Sequence, residues 1–582
     1  MKFSDLAQYF KKLEGTASRN AMTEILAELF HHASHEEIGK MCYLLQGRVV
    51  PLYEAIEFGI ADKFMIRAIA KAYGVEVSQV VRIFKKEGDL GVAAEACSHA
   101  SKQDATKSMT VGAVYDVLLV MAKEGGLGSQ EKKIDMLANL LLSVDALSAR
   151  YLVRIPLDKL RLGFSDMTIL DALSWMLTGD KSARESLEGA YNVRPDIGFI
   201  AQTLKKDGIK GLSHVKAHVG APILASLCQR IPTADEMIEK MGEVAVEPKY
   251  DGVRVQIHYQ AMSKVKGQKA KVNTYSRNLE NTSAMFPELS DIGTQLHAEE
   301  VILDSEAVGL DPKTGKLIAF QETMTRKRKH GIEEARGNVP LKFFVFDILY
   351  KDGKDLLGEP LSKRREILEQ TVKKGNLLMI SPQMVTRTPA ALRAYHDEQL
   401  AKGLEGAVVK KWISPYEPGR RGYSWVKFKQ EEGKTGKLTD TIDAVIMGYS
   451  QGEGKRSGFG IGMFLVGVRK GDQFVTVTKV GTGVSDELWK DLYTKLHKIK
   501  VDSQPKEYID VNKLLAPAIW VRPEIVVEIA GDDLTRSPTH GAGVAVRFPR
   551  LVRIRTDKSP AQVTTVAEVL GMYRNQGTYA KR

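Results

Sequence analysis

Hydrophobic and polar positions alternate through residues 244–259, VAVEPKYDGVRVQIHY. Val244 and Val246 alternate with Ala245 and Glu247; Val253, Val255 and Ile257 alternate with Arg254, Gln256 and His258. A period of two on both flanks predicts strand, tight turn, strand, a half-buried hairpin with Lys249 and Asp251 at its mouth. Short alternating runs of the same kind fill residues 213 to about 430, among them VNTYS, AEEVILDSEAVGL, LKFFVFDILY and GAVVKK. Residues 1 to about 212 carry a helical period instead. Ile134, Leu137, Leu141 and Val144 recur at three- and four-residue steps, and MTVGAVYDVLLVMAKEGG closes on a Gly125-Gly126 helix stop. In LDKLRLGFS, Lys159 and Arg161 lie just before Gly163; such a basic helix joint can grip phosphates through backbone N–H groups, or be an ordinary solvated turn. After the polar, Gly- and Lys-rich stretch 430–441, a third texture begins. IDAVIMGYS, GMFLVGVR, QFVTVTKV and EIVVEIA read as about five strands, with a helix near DELWKDLYTKLHKI. The pattern predicts an all-α region at 1–212, an α+β region at 213–432 and a small β-barrel of OB-fold type at 433–582, joined by a hinge near 430–441.

Composition adds a partner class. The 582 residues are 43% hydrophobic and 27% charged, ordinary for a soluble globular protein, with a net charge of +12. A basic surplus of that size reads either as a polyanion-binding surface or as plain solubilisation. Cys42, Cys97 and Cys228 lie far apart without a CxxC or Cys/His cluster, which argues against a zinc module or a disulfide framework. No signal-peptide core and no long apolar run occurs, so an intracellular, cytoplasmic protein without a membrane role is expected.

Nucleotide-binding loops are missing. The one GK[ST], Gly433-Lys434-Thr435, has Phe428 where a P-loop needs glycine, and the glycines of 452–462 lack the dinucleotide-binding spacing. His31 and His35 are four apart, but HHASHEE is not HExxH and reads as an exposed helix end. Lys249 is the more suggestive residue. A free lysine, with pKa about 10.4, is protonated near neutrality and a poor nucleophile; nearby cations or burial change that. Lys427 and Lys429 in SWVKFKQ share one strand face, as do Asp304 and Glu306 in EVILDSEAV, while Glu405 leads an apolar strand ending in Lys410. Any one of these is ordinarily a solvated sheet face. Together they are a set of charges on strands whose other face is core.

The set resembles the ordered motifs of the covalent nucleotidyltransferases. Lys249-Tyr250-Asp251-Gly252-x-Arg254 resembles motif I, KxDGxR; YSRNLE with Arg277 is similar to motif Ia, and LDSEAV with Glu306 to motif III. FVFDILY with Phe346 resembles motif IIIa, LEGAVVK with Glu405 motif IV, WVKFK motif V and RFPRLVRIRTDK motif VI. FQETMTRKRK, LTRSPTHGAGVAVRFPRLVRIRTDK and the helical first third narrow the resemblance to ATP-dependent DNA ligases of the archaeal and eukaryotic replicative type. It implies nick sealing in DNA replication, repair and recombination through a lysyl-AMP on Lys249, with ATP and Mg²⁺ (or Mn²⁺) required. It further implies adenine contacts from Glu247 and Phe346, ribose contacts from Arg254 and Glu306, and a phosphate contact from Arg277. Lys427 and Lys429 would cradle the α-phosphate, and Asp251, Glu405 and Glu306, with Asp304 a weaker fourth, would ligate the metal. Arg547, Arg550, Arg553, Arg555 and Lys558 would swing over the triphosphate. A monomer gripping nicked duplex DNA through its phosphates is expected. A sliding clamp is a further candidate partner, although SKQDATKSMTVGAVY offers Gln103 without the paired aromatics of a docking motif. An RNA ligase, a capping-type guanylyltransferase and a non-catalytic DNA-binding protein are the alternatives.

Overall fold

The computed structural model describes residues 1–100, 109–160, 162–261, 270–318, 323, 339–419, 421–428, 441–452 and 459–575. Gln103, Arg161, Lys429 and the expected hinge at 430–440 lie outside them. The chain forms two compact units, Met1–Lys429 and Gln430–Arg582.

The first unit begins all-helical. The helix Ser129–Leu141 buries Ile134, Leu137 and Leu141, and Val144 just past it, as the periodicity requires. Val111–Lys123 stops just before Gly125-Gly126. These helices share one apolar core running from Phe3 to Leu212. His31 and His35 are exposed, and Lys159 is paired with Asp62 at 2.9 Å.

Strands follow: β1 (Leu227–Arg230), β2 (Val244–Pro248), β3 (Val253–Gln260), β4 (Lys271–Ser276), β5 (Glu300–Gly309), β6 (Leu341–Lys351), β7 (Lys354–Asp355), β8 (Leu378–Ile380), β9 (Met384–Thr386), β10 (Ala407–Lys411) and β11 (Arg421–Phe428). They form two sheets, in the orders β1-β11-β10-β2-β9 and β4-β3-β5-β6-β7, with β8 added parallel to β6. The expected hairpin at 244–259 is therefore not one. β2 and β3 have the predicted limits but belong to different sheets, β2 pairing with β10 and β9, and β3 with β4 and β5. Gly252, read as a turn residue, has no positive φ. A Cβ there would meet the Ala307 carbonyl at 2.5 Å, so glycine is required by close packing on β5.

The polar face of β3 is also not solvated. Gln256 clamps the backbone of Ile223, accepting from its N–H at 2.8 Å and donating to its carbonyl at 3.1 Å. His258 Nδ1 accepts from Gly220 N–H at 3.0 Å, which leaves the proton on Nε2, 2.9 Å from Gln256 Oε1. Burial pushes this imidazole down to about 3, so it stays neutral. The segment leaving the helical region is thus sewn onto β3.

One face of the first sheet is core. Val244, Val246, Ala407, Val409, Val426 and Phe428 pack with Met237, Met241 and Leu392 of the helices Ala234–Met241 and Pro389–Ala401. The opposite face carries the charges. Under the second sheet, the Arg364 side chain from the helix Leu361–Thr371 is wholly buried against Asp347, Nε to Oδ1 2.8 Å and Nη2 to Oδ2 3.0 Å.

The second unit is sheet-rich, with nine strands among its described residues rather than about five: β12 (Ile442–Ser450), β13 (Met463–Lys470), β14 (Gln473–Val480), β15 (Lys500–Val501), β16 (Ile519–Val521), β17 (Val526–Ala530), β18 (Asp533–Arg536), β19 (Val544–Arg547) and β20 (Arg550–Ile554). The main sheet runs β14-β13-β12-β16-β15, β17 also pairs with β12 and β20, and β18-β19 stand apart. The expected helix is Asp486–Lys498, which buries Trp489. Among the described residues, no helix is long and apolar enough to cross a membrane.

Arg364→Met leaves Asp347 a buried, unpaired carboxylate, and chemical denaturation should register a loss of about 3–5 kcal/mol in the first unit. Adding Asp347→Asn should recover part of that loss.

Candidate active site

The site is built on the charged face of the first sheet, where strand register fixes the neighbours. Glu247 on β2 stands opposite Val408 on β10, which stands opposite Lys427 on β11. The adjacent row is Ala245, Lys410 and Trp425. Lys249 continues the pairing past the end of β2: its N–H donates to the Gly406 carbonyl at 3.0 Å, and Glu405 N–H returns to the Lys249 carbonyl at 3.2 Å. That exchange sets the Lys249 ammonium directly on Glu405 Oε2, in an ion pair only partly exposed. Gly406 holds φ +118, and a Cβ there would meet the Phe428 carbonyl at 2.4 Å. Tyr250, the variable residue of the KxDG run, stacks on Phe344 with centroids 4.2 Å apart.

A buried lysine that the sequence reading treated only as a strand end proves central. Lys410 is 1% exposed and donates to Glu247 Oε2 at 2.8 Å and to the Phe346 carbonyl at 3.3 Å. Its ammonium lies 4.5 Å from the centre of the Phe346 ring and 4.2 Å from that of Trp425. Burial raises the Glu247 carboxyl and Lys410 opposes that. The second oxygen, Glu247 Oε1, is buried without a hydrogen-bond partner among the described residues. An unsatisfied acceptor beside an aromatic ring is costly in the free protein and suited to a planar, amine-bearing ligand.

The second sheet adds Arg254, Asp304 and Glu306. Arg254 stands opposite Glu306 across β3 and β5, but its guanidinium is turned to Asp304, Nε to Oδ1 3.0 Å and Nη2 to Oδ2 2.6 Å. Both Asp304 oxygens are thereby occupied, Oδ2 also accepting from the Tyr416 hydroxyl at 2.9 Å. Asp304 is the counter-ion of Arg254 here, which leaves it ill placed for the weaker metal-ligand role. Burial pushes the Glu306 carboxyl up to about 7; Arg254 and Lys249 oppose the shift, and Asp304 and Asp251 add to it.

Arg277 lies apart from Lys249, on the loop after β4. It lines a cavity of ≈ 380 Å³ with Arg48, Gln46 and Tyr191 of the helical region. A much smaller void joins it to Arg254 and Asp304. In the second unit, Arg553 reaches Glu528 at 2.6 Å, Arg555 reaches Asp443 at 3.0 Å and Asp557 at 2.8 Å, and Lys558 pairs with Asp443. Arg550 is paired with Asp532 at 3.0 Å, and the Arg547 guanidinium lies 5.3 Å from the centre of the Phe548 ring.

The first sheet therefore gathers Glu247, Lys249, Glu405 and Lys427, the second brings Phe346, Arg254 and Glu306 to them, and Asp251 acts on Glu306 through its charge. Sequence reasoning grouped Lys410 with the strand charges but gave it no role, and it missed Trp425 and Tyr416. The period-2 pattern that paired Lys427 with Lys429 also puts Trp425 on that face, and could have found it. Tyr416 lies in a loop and had no such signal.

The known proteins this chain resembles carry the same organisation. Residues 2–174 match the family model for the DNA ligase N terminus, 222–429 that for the ATP dependent DNA ligase domain, and 457–558 that for the ATP dependent DNA ligase C terminal region. A probable DNA ligase of Dictyoglomus turgidum is 41% identical over 587 residues, covering 99% of this chain and 98% of that protein. DNA ligase 2 of Thermofilum pendens is 37% identical over 601 residues, covering 99% and 98%. The solved structure named Pmar-Lig_Pre shares the fold, with a TM-score of 0.53 at 16% identity over 95% of this chain and 99% of its own. The chain belongs to the ATP-dependent DNA ligase family.

The folded protein holds a proton on Glu306 that an unfolded chain releases above about 4.5. Stability contributed at this site is accordingly lost as pH rises from about 4.5 to about 7. In buffer free of divalent metal, the melting temperature of Glu306→Gln should gain on wild type between about pH 5 and about pH 8, and a pH-independent difference would contradict the shift.

Proposed function

We propose that this ligase seals 5′-phosphate/3′-hydroxyl nicks in duplex DNA through an adenylate on Lys249. The observation that carries this is Lys249 fixed at the meeting of two sheets, against Glu405 and two strand positions from the half-satisfied Glu247. In the first step Lys249 Nζ bonds to the α-phosphorus of ATP as the bond to pyrophosphate breaks. Glu405 Oε2, touching Nζ, is the acceptor within reach of the ammonium proton. In the second step the 5′-phosphate of the nick displaces Lys249 from the AMP. In the third the 3′-hydroxyl displaces AMP and closes the strand. Each step is an in-line displacement at phosphorus, so positioning and charge compensation supply most of the rate.

The residue roles follow from chemistry. Glu247 Oε1, an acceptor held beside Phe346, suits the exocyclic amine of adenine, with the ring stacked on the base. Arg254 and Glu306 would take the ribose, and Arg277 a phosphate. Lys427 would offset charge at the α-phosphate, with Lys429 in the same motif. Arg547, Arg550, Arg553, Arg555 and Lys558 would do so at the triphosphate, exchanging carboxylate partners for phosphate. Among the described residues no three His, Cys, Asp or Glu side chains converge as a metal cage. The donor chemistry nevertheless fits Mg²⁺, which at nucleotide sites is shared between one or two carboxylates and phosphate oxygens. Asp251, Glu405 and Glu306 would hold it, or Mn²⁺ in its place, and a cation there would favour the charged form of Glu306 that burial, with Asp304 and Asp251, disfavours. When bound it would neutralise charge on the phosphate oxygens.

We further infer three functional parts, near 1–212, 213–432 and 433–582, the last an OB-fold barrel. The nine short strands, with the helices Asp486–Lys498 and Val566–Asn575, support that reading. The protein would act as an intracellular, nucleoid-associated monomer in replication, repair and recombination. A sliding clamp remains a candidate partner, to be tested by pull-down with the clamp of the source organism.

Incubation with Mg²⁺ and α-labelled ATP should label the chain, and Lys249→Ala should reduce labelling by at least about 1,000-fold. Label from GTP alone would move the protein to the capping class, sealing of nicked RNA but not DNA to the RNA ligases, and no label at all to a non-catalytic binder. Affinity for nicked duplex should be indifferent to sequence and fall by about 10³ between about 50 and 200 mM salt, measured by anisotropy.

A further inference from the structure

Tyr416 lies on the loop after β10, 3% exposed, and belongs to no motif of the sequence reading. A tyrosine hydroxyl has one proton to donate and two lone pairs to accept with, and here all three are used. It donates to Asp304 Oδ2 at 2.9 Å, and accepts from Ser226 N–H at 3.0 Å and from Arg254 Nη2 at 3.3 Å. Ser226 returns to the same network, its carbonyl accepting from Arg254 Nη1 at 2.8 Å. Tyr416, Ser226, Arg254 and Asp304 thus close a ring of hydrogen bonds spanning three segments: the loop, the residue before β1, and the paired strands β3 and β5. Burial raises the Tyr416 phenol well above its ordinary value, so the hydroxyl keeps its proton and its donor role. The ring itself is wedged between Trp425, 5.7 Å away edge-on, and the guanidinium of Arg364, 5.7 Å from its centre.

The consequence falls on Arg254. A guanidinium carries five N–H groups. Two go to Asp304, one to Tyr416 and one to Ser226, which leaves one N–H on Nη1 without a partner among the described residues. Arg254 Cζ lies 5.4 Å from the ring centres of both Phe346 and Trp425, the two rings that also flank the Lys410 ammonium where it holds Glu247. Asp304 alone holds the guanidinium in its own plane. Tyr416 and Ser226 fix that plane relative to the Phe346 and Trp425 rings.

We propose that Tyr416 is a positioning residue for Arg254: it closes the Asp304–Ser226 ring that aims the last guanidinium N–H at the bound nucleotide. This rests on the reading of Arg254 as a nucleotide contact. It gives the family's motif arginine a dedicated support from outside the motifs. It also ties nucleotide engagement to Ser226, in the segment that joins the helical region to the sheets.

The test is single-turnover self-adenylylation of the full chain with α-labelled ATP, alongside thermal melts. Tyr416→Phe should raise the half-saturating ATP concentration by about ten-fold while changing the limiting rate by less than about three-fold. In an Arg254→Ala background the same substitution should leave half-saturation unmoved, yet still lower the melting temperature. Asp304→Asn should behave like Tyr416→Phe, and serves if that variant does not fold. The proposal is overturned if Tyr416→Phe leaves half-saturation unchanged while Arg254→Ala raises it, or if its effect persists undiminished without Arg254. If Arg254→Ala itself leaves ATP dependence unchanged, the nucleotide role of Arg254 falls, and the proposal with it.

Discussion

The antiparallel register between β2 and β10 is the constraint on which the site depends. It places Glu247 opposite Val408, and so sets Lys410, two residues on and on the same face, diagonally beside it. Carried one step past the strand ends, the same ladder sets Lys249 against Gly406 and brings its ammonium to Glu405. A slip of one residue would turn Lys249, Glu247 and Lys410 into the apolar layer of Met237, Met241 and Leu392. The core that holds Val244, Val246, Val409 and Phe428 therefore also fixes the chemistry on the opposite face.

Buried ion pairs recur around this site: Lys410 with Glu247, Arg254 with Asp304, Arg364 with Asp347. Such pairs seldom add net stability, because desolvation cancels much of the attraction. What they supply here is orientation. Arg364 locks the strand that carries Phe346, Lys410 leaves one defined oxygen of Glu247 free, and Asp304 dictates the plane of Arg254. The site is built from charges whose partners determine where the remaining donors and acceptors point, and on the proposed reading a nucleotide would be recognised by what those partners leave over.

The second unit shows the same economy in a different setting. Asp443 and Glu528 face each other directly across β12 and β17, an arrangement that like charges disfavour. Arg553, Arg555 and Lys558 make it tolerable by lying on both carboxylates. Arg553, Arg555 and Lys558 are thereby held as a charge-compensated cluster at the edge of the sheet.

Alternation along single strands was legible without the structure, because side chains in a strand point to opposite faces whatever the strand pairs with. That is why the alternation of Glu247 with Val244 and Val246, the shared face of Asp304 and Glu306, and the apolar positions opposite them could be read directly, together with the helical stripe at Ile134, Leu137 and Leu141. The KxDGxR order also singled out Lys249. Partner choice was not legible. Backbone hydrogen bonding is indifferent to side-chain identity, so nothing in VAVEPKYDGVRVQIHY says that its two strands part for different sheets. Gly252 looked like a turn residue, yet serves a close approach to β5 that exists only once the sheets pack. The burial of Gln256 and His258, the depth of Lys410 and the Tyr416 ring belong to the same class. Local pattern determined which residues share a face; tertiary packing decided which faces meet, because contacts between distant segments are set by how whole sheets and helices exclude water together.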